Sequence, residues 1–128
     1  MKQAVLSLAG FFIFFAIILG AFGAHSLKNH LNAEELNSLQ TGIQYQLFHG
    51  LSLVILGLHF DKVKKAKLMT IGVISGTILF SGSIYLLALD QLLNVNLGFL
   101  WPVTPIGGMI LIFTWLLFAL VNRKKTNS

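Results

Sequence analysis

The sequence predicts an all-α integral membrane protein, built as a polytopic four-helix bundle, and three observations lead to this fold class. Hydrophobic residues make up 55% of the 128 residues and charged residues only 10%, whereas charged residues are about 25% of a typical soluble domain. A soluble chain this small has too much surface to bury so much apolar side chain. Four uncharged apolar runs follow one another along the chain, and each has roughly the 20 residues that a helix needs to cross a bilayer. The composition excludes an ordinary cytosolic enzyme and, despite the net charge of +5, a nucleic-acid-binding protein.

The four apolar runs set the expected helices. They do not alternate polar with apolar residues as barrel strands do, and a helix satisfies its own backbone hydrogen bonds in lipid. Within a single transmembrane domain of residues 1–128, the expected spans are residues 4–24, 42–60, 68–89 and 103–121. A secretory signal peptide is the alternative for the first run, but its 21 apolar residues exceed the about 7–15 of such a peptide.

The second helix is expected to begin well before its membrane span. Asn32 followed by Glu35 is typical of a capping box, so the helix should start near Ala33. A helix over residues 33–60 would be about 42 Å long, which exceeds a hydrocarbon core of about 30 Å. Its first turns should therefore stand outside the core, or the helix should tilt. The loop at residues 90–102 is apolar and is expected in the outer interface.

Lysine and arginine are distributed unevenly between the two ends of the predicted bundle. Eight of the nine lie at the N-terminus, between spans two and three, or at the C-terminus, whereas Lys28 alone lies on the other side. Because positive charge is retained in the cytoplasm, both termini of this multi-pass plasma-membrane protein are predicted to be cytoplasmic. Seven of these basic residues are expected at the lipid headgroups, as a topology signal or as a lipid-specific site: Lys62, Lys64, Lys65, Lys67, Arg123, Lys124 and Lys125.

Small residues on the predicted helices indicate where backbones approach each other, because membrane helices associate through close packing. Gly72 and Gly76 have the spacing of a GxxxG motif. The predicted packing positions are Gly20, Gly23, Gly72, Gly76, Gly107 and Gly108.

Polar side chains within the spans gather in the outer half of the predicted bundle. Unpaired polar groups are costly in lipid, so each of them needs a partner. Tyr45 and His49 lie four residues apart on one helix face, and His25 ends the first helix on the same side. The expected layer comprises His25, Tyr45, His49, Ser81, Ser83, Tyr85 and Thr104. It is either a structural layer that fixes helix register or a ligand site, for example for a lipid headgroup or a quinone head, or a proton relay.

The sequence contains no motif for catalysis or for metal binding. It has no cysteine and no nucleophile elbow, phosphate loop or HExxH motif. His25 and His49, with no carboxylate partner, make a weak zinc site, and haem has no attachment motif. No acidic residue lies at mid-membrane, which argues against an ion-coupled transporter. We therefore expect no catalytic residue, no metal and no cofactor.

Four blocks of the sequence, one near each span, resemble a known family. They are residues 20–25 (GAFGAH), Tyr45 with His49, residues 80–85 (FSGSIY) and residues 104–108 (TPIGG). Together they resemble a widespread family of small bacterial inner-membrane proteins catalogued as a domain of unknown function, which has a small eukaryotic transmembrane relative. The resemblance covers roughly residues 4–121. It implies four helices and a bacterial membrane location, and it implies no established activity.

Two positions depart from the pattern of that family. Thr114 stands where a glycine is expected, and Asp90 with Gln91 stands where Thr-Gly is usual. A threonine at the first position should hold the fourth helix farther from its neighbour. Neither departure touches the four blocks.

Three classes of function remain open from the sequence. The first is a non-enzymatic protein that organises or stabilises the membrane or scaffolds a partner. Its expected partners are membrane lipids, a second copy of the chain or another membrane protein, and not nucleic acid. The second is a carrier or channel for a small molecule or lipid, with a polar pocket on the outer side. The third is a haem or redox protein, which an absorbance spectrum would distinguish, whereas flux in liposomes separates the second class from the first.

Overall fold

A computed structural model describes residues 1–123, and all of the regular structure in that range is helical. The all-α class is therefore confirmed. The α-helices are α1 (Lys2–His25), α2 (Ala33–Leu58), α3 (Ala66–Thr77), α4 (Ser83–Leu89) and α5 (Val103–Asn122). A π-helical segment, Ile78–Gly82, joins α3 to α4, so that these three elements form one continuous rod. The described chain thus has four long helical rods, together with short 3-10 turns at Leu27–Asn29 and Gly98–Leu100.

Three of the four rods are long and apolar enough to cross a membrane. They are Lys2–Gly23, Ala66–Leu89 and Gly98–Asn122. The 26 residues of α2 give a length of about 39 Å, but Gln44, Gln46 and His49 lower its mean hydropathy. Length alone would therefore let α2 cross, and its polar side chains need partners if it does.

The rods run antiparallel, and each packs mainly on the next one in the sequence. α1 packs on α2, α2 packs on the α3–α4 rod, and that rod packs on α5. α2 and α5 are not packed along their lengths. One end of the bundle holds the start of α1, the α2–α3 loop and the end of α5, around a core that includes Val5, Leu56 and Met69. We call it the basic end because its lysine and arginine side chains are exposed. Leu31, Leu39 and Ala88 form the core of the opposite end.

The structure has the capping box that the sequence predicts at the start of α2. The Asn32 side-chain oxygen accepts the Glu35 backbone N–H at 2.8 Å, and the Glu35 carboxylate accepts the Asn32 backbone N–H at 3.0 Å. Two of the N–H groups that a helix start leaves without intrahelical partners are therefore satisfied. The capping box explains why α2 begins at Ala33, at the end of the bundle opposite the basic end.

α1 and α2 approach each other most closely at small residues spaced seven apart. Ala9 and Ala16 on α1 are fully buried. On α2, a Cβ added at Gly50 would lie 2.9 Å from the Ile13 side chain, and one at Gly57 would lie 2.7 Å from that of Leu6. A substitution at Gly50 would also come within 3.4 Å of the Ile13 backbone nitrogen and would push the helices apart, whereas one at Gly57 would first displace the end of the Leu6 side chain.

The glycines that the sequence analysis assigned to α1 packing have more room. A Cβ at Gly20 would be 3.9 Å from Ile43, which is ordinary contact, and one at Gly23 would be 3.3 Å from Leu39. Gly23 therefore faces α2 at moderately close range, and Gly20 does not require a glycine for packing.

Glycines of α3 make room for bulky residues of α5. Gly72 lies directly against Thr114, and a Cβ at Gly76 would be 2.7 Å from the Leu111 side chain. The Thr114 hydroxyl donates to the Ile110 carbonyl at 2.7 Å. The expectation that Thr114 would hold α5 away from its neighbour is wrong, because Gly72 leaves space for the threonine and the hydroxyl is satisfied within α5.

The loop before α5 exposes large apolar side chains at the opposite end. Leu93, Phe99 and Trp101 are all more than half exposed. Such a surface would be unusual for a free aqueous loop, and tryptophan is enriched at membrane interfaces. These side chains support the expectation that the loop lies in the interface.

Candidate functional site: a polar layer beside a groove between α2 and α5

The π-helical segment is contacted by glycines of both neighbouring rods. Gly107 of α5 lies directly against the Phe80 backbone nitrogen, and a Cβ there would be 2.8 Å from the Leu79 carbonyl carbon. On the α2 side, a Cβ at Gly42 would be 2.7 Å from the Tyr85 ring, one turn beyond the segment. π-helical segments occur mostly as single turns and often at functional sites. Here the segment brings its backbone into contact with α5.

Two serines join this region to α2 and α5. The Ser81 hydroxyl donates to the Gly42 carbonyl at 2.8 Å, and Ser81 is fully buried. The Ser83 and Thr104 hydroxyl oxygens are 2.5 Å apart and share a hydrogen bond. The Ser83 hydroxyl also donates to the Phe80 carbonyl at 3.0 Å. The rod is therefore connected to α2 on one side and to α5 on the other.

A second set of hydrogen bonds extends from α4 through α2 to α1. The Tyr85 hydroxyl donates to the Gln46 side-chain oxygen at 2.7 Å. The Gln46 side-chain nitrogen donates to the Phe12 carbonyl at 2.8 Å. Gln46 thus uses both ends of its amide to join two helices that flank α2.

His49 and Trp115 join α2 to α5. The Trp115 indole N–H donates to His49 Nε2 at 3.0 Å. An indole nitrogen can only donate, so Nε2 acts as the acceptor and the neutral imidazole carries its proton on Nδ1. Nδ1–H then donates to the Tyr45 carbonyl, 2.7 Å away. His49 is buried at 4% exposure, and both of its ring nitrogens are satisfied by the protein.

A cavity of about 690 Å³ lies between α2 and α5, within the range of about 300–1,000 Å³ typical of small-molecule sites. We call it the aromatic cavity. Its lining side chains Phe48 and Ile112 are 62% and 60% exposed, so the cavity is open to its surroundings. Its lining residues are Gln44, Tyr45, Phe48, His49, Phe80, Gly108, Leu111, Ile112 and Trp115.

A second, smaller cavity continues from the first toward the basic end. We call it the aliphatic cavity; its volume is about 220 Å³. Trp115 lines both cavities, so the cavities adjoin at this side chain, and we call the pair the α2–α5 groove. The aliphatic cavity is lined by Ser52, Ile55, Leu56, Val63, Met69, Val73, Thr114, Trp115 and Phe118. None of the lining residues of either cavity is charged.

The structure brings together most of the residues expected in the polar layer. Five of them make side-chain hydrogen bonds between the packed rods: His49, Ser81, Ser83, Tyr85 and Thr104. Tyr45 is 44% exposed, and its ring lies 4.5 Å from that of Phe80, centroid to centroid. Tyr45 therefore belongs to the wall of the groove, and only its backbone carbonyl takes part in the layer.

His25 does not lie in this layer. Its side chain is exposed at the last residue of α1. The expectation that His25 belongs to the layer is wrong, because the helix ends at that residue and leaves its side chain exposed.

Gln46 and Trp115 belong to the layer although the sequence analysis did not select them as site residues. One signal for Trp115 is general: a buried indole N–H usually finds an acceptor. The identity of that acceptor depends on tertiary contact, since His49 is 66 residues away.

The histidines do not assemble a metal site in the described part of the chain. Across residues 1–123, no three His, Cys, Asp or Glu side chains lie close enough to hold a metal ion. The predicted headgroup residues Lys62, Lys64, Lys65, Lys67 and Arg123 are exposed at the basic end, whereas Lys124 and Lys125 lie outside the described residues.

The fold and the site define a small helical membrane protein, with a buried polar layer beside an apolar groove. Residues 19–108 match the family described as "Protein of unknown function (DUF423)". The chain belongs to this family. No solved structure was found to match it.

The similar proteins are bacterial and named for the membrane. The chain is 38% identical to "UPF0382 membrane protein" of Haemophilus influenzae, over 98% of each chain. It is 40% identical to "UPF0382 inner membrane protein YgdD" of Escherichia coli strain K12, over 81% of this chain and 77% of that protein. It is 33% identical to "UPF0382 membrane protein YwdK" of Bacillus subtilis, over 85% and 87% of the two chains. These names give a membrane location and no activity.

Proposed function

We propose that the protein acts without catalysis and organises the membrane by holding a lipid-like molecule in the α2–α5 groove. The open, uncharged groove is the observation that carries this proposal. Its walls are aromatic and aliphatic, and a groove between two helices in a bilayer faces lipid rather than water. An apolar chain that enters the groove replaces its contacts with bilayer lipids by contacts with the preformed aromatic walls of the protein.

The polar layer supports this function because His49 and Trp115, which line the floor of the aromatic cavity beyond Tyr45, are paired with each other. His49 and Trp115 satisfy each other at the floor. An unpaired indole or imidazole there would favour water or a polar ligand, because an unpaired polar group in an apolar setting is costly. The hydrogen bond therefore makes the floor suitable for hydrocarbon, and it holds α2 at a fixed distance from α5.

We also propose that all four rods cross the membrane, with both termini in the cytoplasm. α2 packs between α1 and the α3–α4 rod, both of which are apolar enough to cross, so it crosses with them. The N-terminus, the α2–α3 loop and Arg123 share the basic end. Cytoplasmic retention of positive charge would then place this end at the inner leaflet, where Lys62 and its basic neighbours contact anionic headgroups.

Transport of a lipid is the second candidate, since the aromatic and aliphatic cavities adjoin at Trp115. Flux in liposomes would distinguish transport from simple binding. A haem site finds no support in the histidines: iron ligation at His49 would require the loss of a bond to Tyr45 or Trp115, and His25 does not share its layer.

Native mass spectrometry of the purified protein in a mild detergent tests the proposed binding. Gly108→Leu should extend a side chain into the aromatic cavity, which Gly108 lines, and its Cβ would be at an ordinary 3.6 Å from the Phe80 ring. Gly10→Leu is the matched control, since no atom lies within 4 Å of its added Cβ. We expect lipid adducts on the wild type and on Gly10→Leu, and fewer on Gly108→Leu. Equal adducts on all three proteins would overturn the proposal.

A further inference from the structure

We propose that the α2–α5 groove selects a single-chain amphiphile with an uncharged head group. The head lies at Gln44 and Tyr45, and the chain extends past Trp115 into the aliphatic cavity. This inference rests on the proposed function, and it adds the chemistry and the direction of the bound molecule.

The direction follows from where hydrogen-bonding capacity is left unused. The side chains of Gln44 and Tyr45 line the aromatic cavity and make no hydrogen bond to any of residues 1–123. An exposed amide and a hydroxyl at one end of an apolar groove lack partners unless a ligand, lipid headgroups or water supply them. A polar head group at this end would provide such partners.

The polar side chains at the other end of the groove are already satisfied. The Ser52 hydroxyl donates to the Phe48 carbonyl at 2.9 Å, and the Thr114 hydroxyl donates to the Ile110 carbonyl at 2.7 Å. The remaining lining of the aliphatic cavity is hydrocarbon, apart from Trp115, whose N–H is bonded to His49. This end therefore offers contacts to a chain and no free partner to a head group.

The absence of charge from the lining determines the head group. Neither cavity is lined by a lysine, arginine, aspartate or glutamate. An ionised head would lose hydration without a counter-charge, at a cost far above that of a hydroxyl or carbonyl. His49 cannot supply a positive charge without losing the Trp115 bond, because protonated Nε2 no longer accepts. A hydroxyl- or carbonyl-bearing neutral head fits these constraints.

The dimensions of the groove fit one chain. Gln44 and Ile55 are 11 residues apart on α2, which is about 17 Å along the helix axis. This is close to the depth of one leaflet, about 15 Å, or half of the bilayer core. The aliphatic cavity has about 220 Å³ against about 690 Å³ for the aromatic cavity. The larger cavity thus lies at the end proposed for the head group, and the smaller one lies at the end proposed for a single chain.

Photo-cross-linking of the full-length protein in phosphatidylcholine nanodiscs tests the direction. The probe is a monoacylglycerol with a diazirine at the end of its chain, and labelled residues are identified by peptide mass spectrometry. We expect labelling around Ile55, Met69 and Phe118. Labelling concentrated at Gln44 and Tyr45 would show a reversed molecule and would overturn the inference.

Competition tests the head group. Unlabelled monoacylglycerol should displace the probe at about tenfold lower concentration than the ionised fatty acid of the same chain. The double variant Gln44→Leu/Tyr45→Phe should reduce this preference by three- to tenfold, the effect of losing about one net hydrogen bond, while labelling by the chain end stays in place. Gln40→Leu is the control, because Gln40 is exposed on α2 and lines neither cavity.

The outcomes separate this inference from the proposed function. Equal competition by the neutral and charged lipids overturns the inference and leaves groove binding intact. Labelling that Gly108→Leu does not reduce defeats the proposed function itself. The wild-type competition decides the question of the head group even if the double variant does not fold.

Discussion

At the scale of single residues, the Trp115–His49 hydrogen bond determines the protonation state of a histidine. The indole must donate, so the imidazole must accept at Nε2, and the Tyr45 carbonyl then requires the proton on Nδ1. The indole N–H is too weak an acid to give its proton to the imidazole, so Nε2 can take up a proton only by losing the Trp115 bond. The arrangement therefore favours a structural role for His49 over a proton relay.

Replacing His49 should destabilise the protein more than replacing His59. His49→Leu would leave the Trp115 N–H without its acceptor, at a cost of about 1–3 kcal/mol for an unsatisfied group. His59 is exposed at the end of α2, and its ring bonds only to the Ile55 carbonyl at 3.0 Å, so His59→Leu should be milder. Thermal unfolding in detergent measures both variants, and equal loss of stability would contradict the structural role of His49.

Gln46 shows which parts of a site can be predicted from sequence at this scale. A glutamine within a membrane span predicts that some partner exists, and the polar cluster on α2 therefore indicated a layer. The partners Tyr85 and Phe12 lie 39 and 34 residues away in the sequence. Only the packing of three rods makes them neighbours, so the sequence did not identify them.

At the scale of elements, local contacts could be predicted and the π-helical segment could not. The capping box of Asn32 and Glu35 involves residues three apart, and its geometry follows from the helix start alone. The π-helical segment at Ile78–Gly82 lies within a continuous apolar run. The periodicity of this run predicts an uninterrupted α-helix. The π-helical segment contacts Gly107, which belongs to α5, and this contact cannot be predicted from the run itself.

The contact between α5 and the π-helical segment predicts opposite responses from two adjacent glycines. Gly107→Ala would bring a Cβ to 2.8 Å from the Leu79 carbonyl carbon, so the helices must shift. Gly108→Ala places its Cβ at an ordinary distance from the Phe80 ring, and alanine should gain up to about 1 kcal/mol in helix propensity. We expect a lower melting temperature for Gly107→Ala and an equal or higher one for Gly108→Ala, measured in the same detergent.

The matched pair separates packing from a general effect of glycine. If both substitutions raised stability, α5 would not lie against the backbone of the π-helical segment as described. If both lowered it equally, the loss would have to come from something other than the Leu79 contact.

At the scale of the whole molecule, the antiparallel rods gather most of the lysine and arginine residues of the described chain at one end. The N-terminus, the α2–α3 loop and the end of α5 share the basic end. The fold class followed from composition and run length because the bilayer imposes both. The positions of the rods relative to one another did not follow, since no pattern in the sequence specifies that α2 and α5 stay apart.

Reporter fusions should place both termini in the cytoplasm. A reporter active only in the cytoplasm, fused after Ser128, should give signal, and the same reporter inserted near Asn29 should give none. The physical reason is the retention of the lysine-rich end on the cytoplasmic side. A reporter active only outside should give the reverse pattern, and a C-terminus found outside would overturn the proposed topology.

The packing of each rod on its sequence neighbour has a consequence for biogenesis. α1 and α2 can close as a hairpin while the rest of the chain is still being synthesised, and the α3–α4 rod can then add to α2, since each rod packs on the one before it in the chain and segments that are made first can fold first. The Trp115–His49 bond spans 66 residues and needs α5 in place. One wall of the α2–α5 groove is therefore supplied last, so the proposed amphiphile can bind only after the final helix has left the insertion machinery.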